Sequence, residues 1–447
     1  MLKYIFLIAS VLLYTSCLNF TSMNNHKPPR AKKEPKELIV HDDKRIDNYF
    51  WMRLSDKQKE SKEPDQQTQN VIDYLNAENK YLKEKMSHTE ELQDALFNEI
   101  KNRIKKDDSS VPVSINNYSY YTRFEKDKEY PFHCRKALQK GAKEEIMLDV
   151  SKMAENHDYF SAVGLSVSPS EKLLIYGVDT VSRREYTLHV KDLNSGKLLS
   201  DKISNTTGRG VWANDNKTFF YTKQDPITLR SFQIYKHKIG TPQSEDILVY
   251  EEKDDTFSCY VSKSKSRKYI VIGSYQTLSS EYRYIDANQP DEDFKLIQKR
   301  EKDLEYNVYH YQDYFYILTN YKAKNFRLMK TLISQPSKEF WQEVIPHDEN
   351  VLIEGIDIFK NYLVVEERKN GLTHIKVINW RNNSSYYIEF NDPAYTVSTM
   401  ANPEYDTHIL RFSYTSLTTP GSVFDYDMSV KKRDLLKQNK VLDINFS

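Results

Sequence analysis

A serine nucleophile of the hydrolase kind needs Gly-x-Ser-x-Gly, because the serine sits on a sharp strand-to-helix bend with glycines on either side. The chain has 11 glycines, and no two of them stand four apart around a serine. Its 11 histidines are scattered, with no pair at the helical or hairpin spacing of zinc ligands. The run Gly208-Arg209-Gly210-Val211-Trp212-Ala213 imitates a dinucleotide fingerprint, but Asn214-Asp215-Asn216 stands where a helix should open. It reads instead as a turn in the β-repeat described below. Two acidic runs, Glu251-Glu252-Lys253-Asp254-Asp255 and Asp291-Glu292-Asp293, could attract basic peptides; the commoner role of such runs is a solvated loop. The basic run Lys263–Lys268 has no interleaved aromatics and reads as an exposed hairpin turn, which argues against nucleic acid. Cys134 and Cys259 form no C-x-x-C and read as small buried apolar residues. No catalytic, metal-binding or cofactor-binding residue is expected, and no cofactor.

The elements around these residues are strands. Leu165–Gly210 reads as one complete antiparallel unit: apolar runs Leu173–Val178 and Tyr186–Val190, broken by Pro169-Ser170-Glu171 and Asn194-Ser195-Gly196. Tyr186, Leu188 and Val190 alternate at the period of a half-buried strand. Weaker copies follow, each marked by a tight polar link before an aromatic or aliphatic strand. The links are Asn116-Asn117, Pro169–Lys172, Asn214–Lys217, Ser264–Lys268, Gln312-Asp313, Lys360-Asn361 and Pro403–Thr407. They recur roughly every 43 to 53 residues, where propeller blades typically run about 40 to 50. A β-sandwich seldom keeps one period over so long a chain, so the pattern predicts an all-β, seven-bladed β-propeller with a short N-terminal α-helical segment.

Length and charge bound the rest. A chain of 447 residues is long for a single core, and a propeller is one of the few units of that size. Net charge is +1, which favours neither nucleic acid nor acidic partners. With only 11 glycines against 33 tyrosines, Asn, Asp, Ser and Lys must take the turn positions.

Residues 1–17 read as a lipoprotein-type signal. Lys3 supplies the positive charge, Ile5–Leu13 the apolar run, and Thr15-Ser16 the small residues before Cys17, the expected lipid attachment site. Tyr14 departs from the usual aliphatic residue three before the cysteine. A flexible tether, residues 18–37, would hold the body near a membrane, which places it in the cell envelope, exported and periplasmic-facing or on the outer membrane. Residues 38–106 form a helical segment. Pro64–Met86 carries Ile72, Leu75, Leu82 and Met86 near one face. Thr89 is the expected N-cap of a second helix bearing Leu92, Leu96, Ile100 and Ile104. Residues 107–440 are the propeller, and 441–447 a divergent tail.

On particular residues the chain resembles the prolyl oligopeptidase family, and within it oligopeptidase B, or protease II. The residues are Asp47-Asn48-Tyr49-Phe50-Trp51, Arg103-Ile104-Lys105 leading to Ser110-Val111-Pro112, Tyr120-Tyr121-Thr122-Arg123, Tyr130-Pro131 and Cys134-Arg135-Lys136. The runs Gly164–Pro169, Tyr176–Asp192, Val211–Tyr221, Val249–Thr256, Ser262–Tyr269 and Phe412–Asp427 resemble the oligopeptidase B group as well. The resemblance runs in order from about Pro28 to about Gln438.

It implies a propeller that screens access to an α/β-hydrolase domain carrying a Ser-Asp-His triad, and cleavage of short peptides after Arg or Lys. It also implies that the helical segment packs on that hydrolase domain. No position of this chain matches the family's triad or its specificity residues, so the chain is expected to be inactive alone. Three readings follow: the gating half of a serine peptidase, joined by a hydrolase domain in trans or left without one; a stand-alone envelope lipoprotein propeller that binds peptides or proteins; or an inert fragment of an interrupted gene. Expected partners are the hydrolase domain and short basic peptides, with membrane contact only through the lipid anchor.

Overall fold

The computed structural model describes residues 27–442. The chain divides into two compact units, one up to Ile104 and one from Lys105. In the first, the hairpin Lys36–Val40/Asp43–Asp47 precedes helices α1 (Asp56–Glu60), α2 (Gln66–Met86) and α3 (Glu90–Arg103). Local capping sets the starts of the first two helices. Ser55 and Gln58 form a reciprocal capping box on α1, and the Asp65 carboxylate accepts from Thr68 N at the start of α2. Thr89 precedes α3 but does not cap it with its side chain; its hydroxyl donates back to Met86 O at 2.7 Å. Leu75, Leu82, Leu92, Leu96 and Ile100 are exposed on these helices.

The second unit is built of antiparallel sheets that follow the chain. Sheet A spans residues 113–149, B 161–251, C 258–298, D 306–345, E 351–387 and F 395–438. Each of the seven polar links leads into a strand, beginning at Tyr118, Leu173, Thr218, Tyr269, Tyr314, Tyr362 and Ile409. Turn chemistry is local. In sheet E, Asn370 (φ 51°) and Gly371 (φ 82°) make the two-residue turn that pairs Lys369 with Leu372, since both positions need the left-handed region. Buried clusters then weld neighbouring sheets: Leu148 of A with Leu174 of B, Phe220 of B with Ile270 of C, Tyr284 of C with Phe315 of D, Leu328 of D with Val365 of E, and Val364 of E with Phe412 of F. Each fully buried side chain of this size contributes about 1.5–3 kcal/mol.

The seven-bladed expectation is corrected. Sheets A, C, D, E and F are five four-stranded blades, whereas sheet B is one continuous seven-stranded sheet where two further blades were expected. The cause is the 15-residue strand Leu198–Trp212, which pairs with Tyr186–Asp192 on one side and Thr218–Gln224 on the other. Its middle, polar and linker-like in sequence, shifts register on both sides and is held to its neighbours through Thr206 alone between Ile203 and Gly210. Thr206 stands opposite both Tyr186 and Lys223, and its hydroxyl donates to Tyr186 O at 2.9 Å and accepts from Gly208 N at 3.0 Å. Glycine makes the crowded bend possible. Gly208 has φ 81°, and a Cβ on Gly164 would lie 2.0 Å from Gly208 O. The unit read as Leu165–Gly210 is therefore not self-contained, and the Gly208–Ala213 run read as a turn is mostly strand.

Sheets F and A close the ring without sharing a strand among the described residues. Lys437 Nζ bonds Asp108 and donates to Ser109 O at 2.6 Å, and Arg411 Nη1 donates to Pro112 O at 2.6 Å. All seven first-to-second-strand links lie at one end of the ring, where they bond in series: Asn117 donates to Glu171, Ser170 N to Asn216 Oδ1, Asn214 Nδ2 to Arg267 O, and Lys360 N to Tyr405 O, while His310 joins Ser266 to Gln312. The second-to-third-strand loops lie at the other, where the chain also enters sheet A and leaves sheet F. These are called here the link end and the terminal end.

Candidate functional site

A cavity of about 1370 Å³ opens among the inner strands of the ring. Its walls come from sheets A, B, C, E and F, with Tyr120, Leu165, Trp212, Lys263, Ile356 and Thr399 among them. The link end of this cavity is occupied by the Ser264–Lys268 turn, which Ser264 builds by donating its N–H to Tyr269 O and accepting from Tyr269 N with its hydroxyl.

The turn's cations reach sheets that are not neighbours of sheet C. Lys265 Nζ lies 2.5 Å from Asp357 Oδ1 in sheet E and 3.4 Å above the Phe359 ring. Arg267, itself left-handed at φ 59°, pairs with Glu404 Oε1 at 3.2 Å in the link of sheet F and with Asn116 Oδ1 in the link of sheet A. Asn116 N also donates to Glu404 Oε1, at 2.7 Å. These contacts cross the ring and bar its link end. His310 braces the turn from sheet D: its Nε2 donates to Gln312 O, which leaves Nδ1 to accept from Ser266 Oγ at 2.7 Å. Burial lowers the His310 pKa, in keeping with a neutral ring.

Lys263 lies beneath this bar. Its ammonium donates to Trp212 O at 2.9 Å and to Asn214 Oδ1 at 2.6 Å, both neutral acceptors. Burial, and then the nearby Arg267 charge, push its pKa down to about 8. Burial also lowers Lys265 and raises its partner Asp357.

Two further clusters hold buried charge. At the link end His237 is sandwiched between carboxylates, Nδ1 2.6 Å from Asp246 Oδ1 and Nε2 3.0 Å from Asp201 Oδ1. Burial alone would lower the His237 pKa; the two carboxylates outweigh it and raise it. At the terminal end Glu252, 3% exposed, lies 2.5 Å from Arg300 Nη2 and accepts from Tyr250 OH at 2.8 Å and from Ser274 Oγ. Burial would raise this carboxyl, but the hydrogen bonds from Arg300 and Ser274 hold it down at about 2.

Several readings of the sequence meet their positions here. The Lys263–Lys268 run is not a simple exposed turn: only Lys268 of the six is fully exposed, and three of its cations face the cavity region. The Glu251–Asp255 run divides, with Glu252 buried and Glu251, Asp254 and Asp255 exposed; Asp291, Glu292 and Asp293 are all exposed. Cys134 and Cys259 are free and buried in different sheets, and burial pushes their thiols up to about 11 and about 12. Cys17 lies outside the described residues. Sequence reasoning missed Lys263, Lys265, Arg267 and Asp357 as a set. The available signal was three cations inside a link whose six counterparts carry far less positive charge.

This architecture is that of a peptidase-associated propeller. The family model described as "Prolyl oligopeptidase, N-terminal beta-propeller domain" matches residues 28–439, and the chain belongs to that family. Within it the chain is oligopeptidase B-like. It is 36% identical over 451 residues to dipeptidyl aminopeptidase BI of Pseudoxanthomonas mexicana, covering 97% of this chain and 61% of the relative. It is 32% identical over 418 residues to Protease 2 of Moraxella lacunata, covering 92% and 58%. The solved oligopeptidase B of Leishmania major superposes with a TM-score of 0.85 at 29% identity, over 94% of this chain and 62% of that one. The chain thus spans about three fifths of the length of these relatives.

Proposed function

We propose that this chain is the access-controlling propeller of an oligopeptidase B-like serine peptidase, working with a hydrolase domain seated on the terminal end of the ring. The observation that carries the reading is the contrast between a cavity barred at its link end and an opposite end fitted for docking. At that opposite end the tips of four loops present bare apolar side chains: Val181 at 69% exposure, Ile227 at 82%, Leu278 at 51% and Leu417 at 97%. Isolated exposed residues mean little, but four on one end of one ring suit a partner surface. The apolar faces of α2 and α3 suit the same kind of partner. Short peptides fit such a cavity and folded proteins do not, and the family resemblance supplies the preference for Arg or Lys.

The test combines the purified chain with a separately produced hydrolase domain of the Pseudoxanthomonas relative. The chain alone leaves an Arg-containing chromogenic peptide uncleaved. The mixture co-elutes in size-exclusion chromatography, keeps cleavage of the short peptide and loses cleavage of unfolded casein. Failure to co-elute, with casein cleavage unchanged, would refute the reading. Membrane attachment through Cys17 is part of the same proposal; palmitate labelling of the expressed chain, absent in Cys17→Ser, is its check.

A further inference from the structure

We infer that Lys263 is the carboxylate-recognising group of the cavity, binding the C-terminal carboxylate of a peptide held in the ring. The inference rests on the peptide-channel reading above and deepens it.

Three cations line the cavity near its barred end, and they differ in what neutralises them. Lys265 has Asp357, and Arg267 has Glu404. Lys263 has only the Trp212 carbonyl and the Asn214 carboxamide oxygen. No carboxylate bonds this ammonium: Asp215, whose charge acts on it from a distance, and Glu171 on the cavity wall are engaged elsewhere. Asp215 accepts from Thr218 Oγ1 and from the backbone of Lys217 and Thr218, and Glu171 from Asn117. The Asn214 orientation is fixed from its far side, since its Nδ2 donates to Arg267 O at 3.2 Å and to Asn288 Oδ1 at 3.0 Å, so its oxygen must face the ammonium. An ammonium has three donors and two are used here. A half-buried cation with neutral acceptors and a spare donor stays charged at a cost, seen in its lowered pKa. A carboxylate arriving in the cavity removes that cost and gains a charge-assisted hydrogen bond.

Direction favours a chain terminus over an acidic side chain. Lys263 is the last residue of its strand, against the bar made by Lys265 and Arg267, so an extended peptide reaching it from the terminal end has no room to continue.

The test uses the full chain and two probes, N-acetyl-trialanine with a free carboxylate and the same peptide amidated, titrated calorimetrically. The free acid binds at least about tenfold tighter, as a charged hydrogen bond requires. The preference disappears in Lys263→Met. It also disappears in Asn214→Asp, which supplies the missing counter-charge while keeping the lysine; circular dichroism confirms that each variant is folded. Equal affinity of acid and amide for the parent chain, or a preference that survives both variants, overturns the carboxylate site and leaves the channel reading standing. Binding of neither peptide overturns both. An amidated peptide with an internal aspartate that binds as tightly as the free acid would overturn the assignment to a chain terminus.

Discussion

The two ends of the ring solve different problems with the same repeat. At the link end, short polar turns converge, and cations from one of them reach acidic partners two and three sheets away, so the cavity is spanned by ion pairs. At the terminal end, Val181, Ile227, Leu278 and Leu417 stand exposed on four loop tips, with solvated charges such as Lys126, Asp127 and Arg183 on the same set of loops, and the Glu252–Arg300 pair holds buried charge. One end is closed by ion pairs that cross the ring; the other presents bare apolar side chains. Each end also holds one deeply buried ionic cluster, and the two titrate in opposite senses.

The largest expected effect comes from the link-end cluster. His237→Ala leaves the Asp201 and Asp246 carboxylates buried without their cation and costs about 3–5 kcal/mol in a urea denaturation series. Because the folded-state pKa of His237 is raised, its stabilisation is complete below the ordinary value of 6.5 and is lost as pH rises through the raised one. A pH series on the parent chain, absent in His237→Ala, reads this directly.

At the terminal end the sign reverses. Glu252 is depressed from 4.5 to about 2, so its stabilisation is present above 4.5 and disappears as pH falls toward 2. The loss is about 3 kcal/mol at about 1.4 kcal/mol per unit. Arg300→Met should weaken that acid dependence, since Arg300 is the largest of the groups that hold the carboxyl down; an unchanged acid limb of the stability curve would show that other carboxylates dominate it.

The third expectation sharpens the docking contrast. Ile227→Ser with Leu417→Ser leaves the stability of the chain within about 0.5 kcal/mol per site, since the side chains are bare. The same pair weakens binding of a hydrolase domain by roughly tenfold or more, read by calorimetry.

The effect on stability at the bar is also small. Arg267 is more than a third exposed, so Arg267→Ala changes stability by less than about 1 kcal/mol. It nevertheless removes the cross-ring contact, and acetylation of Lys263 by a small reagent, followed by mass spectrometry, should become faster. An unchanged rate would mean that the Lys265–Asp357 pair closes the link end unaided.

Much of the fold could be read from spacing. The seven polar links fall where second strands begin, because turn chemistry and period-2 alternation act over a few residues and need no distant partner. The helices could be read for the same reason, apart from Thr89, whose hydroxyl found a backbone acceptor behind it. The blade count could not. Whether Ser204–Gly208 is a loop or part of a strand depends on the Gly164 and Gly177 backbones lying against Gly208, residues far away in the chain. The candidate site was hidden for a related reason. A run of cations looks solvated until its neighbours are known, and those of Lys265 and Arg267 are Asp357 and Glu404, some 90 and 140 residues onward.

By itself, then, the sequence determined the strand repeat, the helical segment and the family, since these follow from local periodicity and from motifs read in order. Tertiary structure alone decided how the repeats join, which charges are buried and which cation is left with neutral partners. Electrostatics depends on distance in space and on local dielectric, and neither is written in residue order.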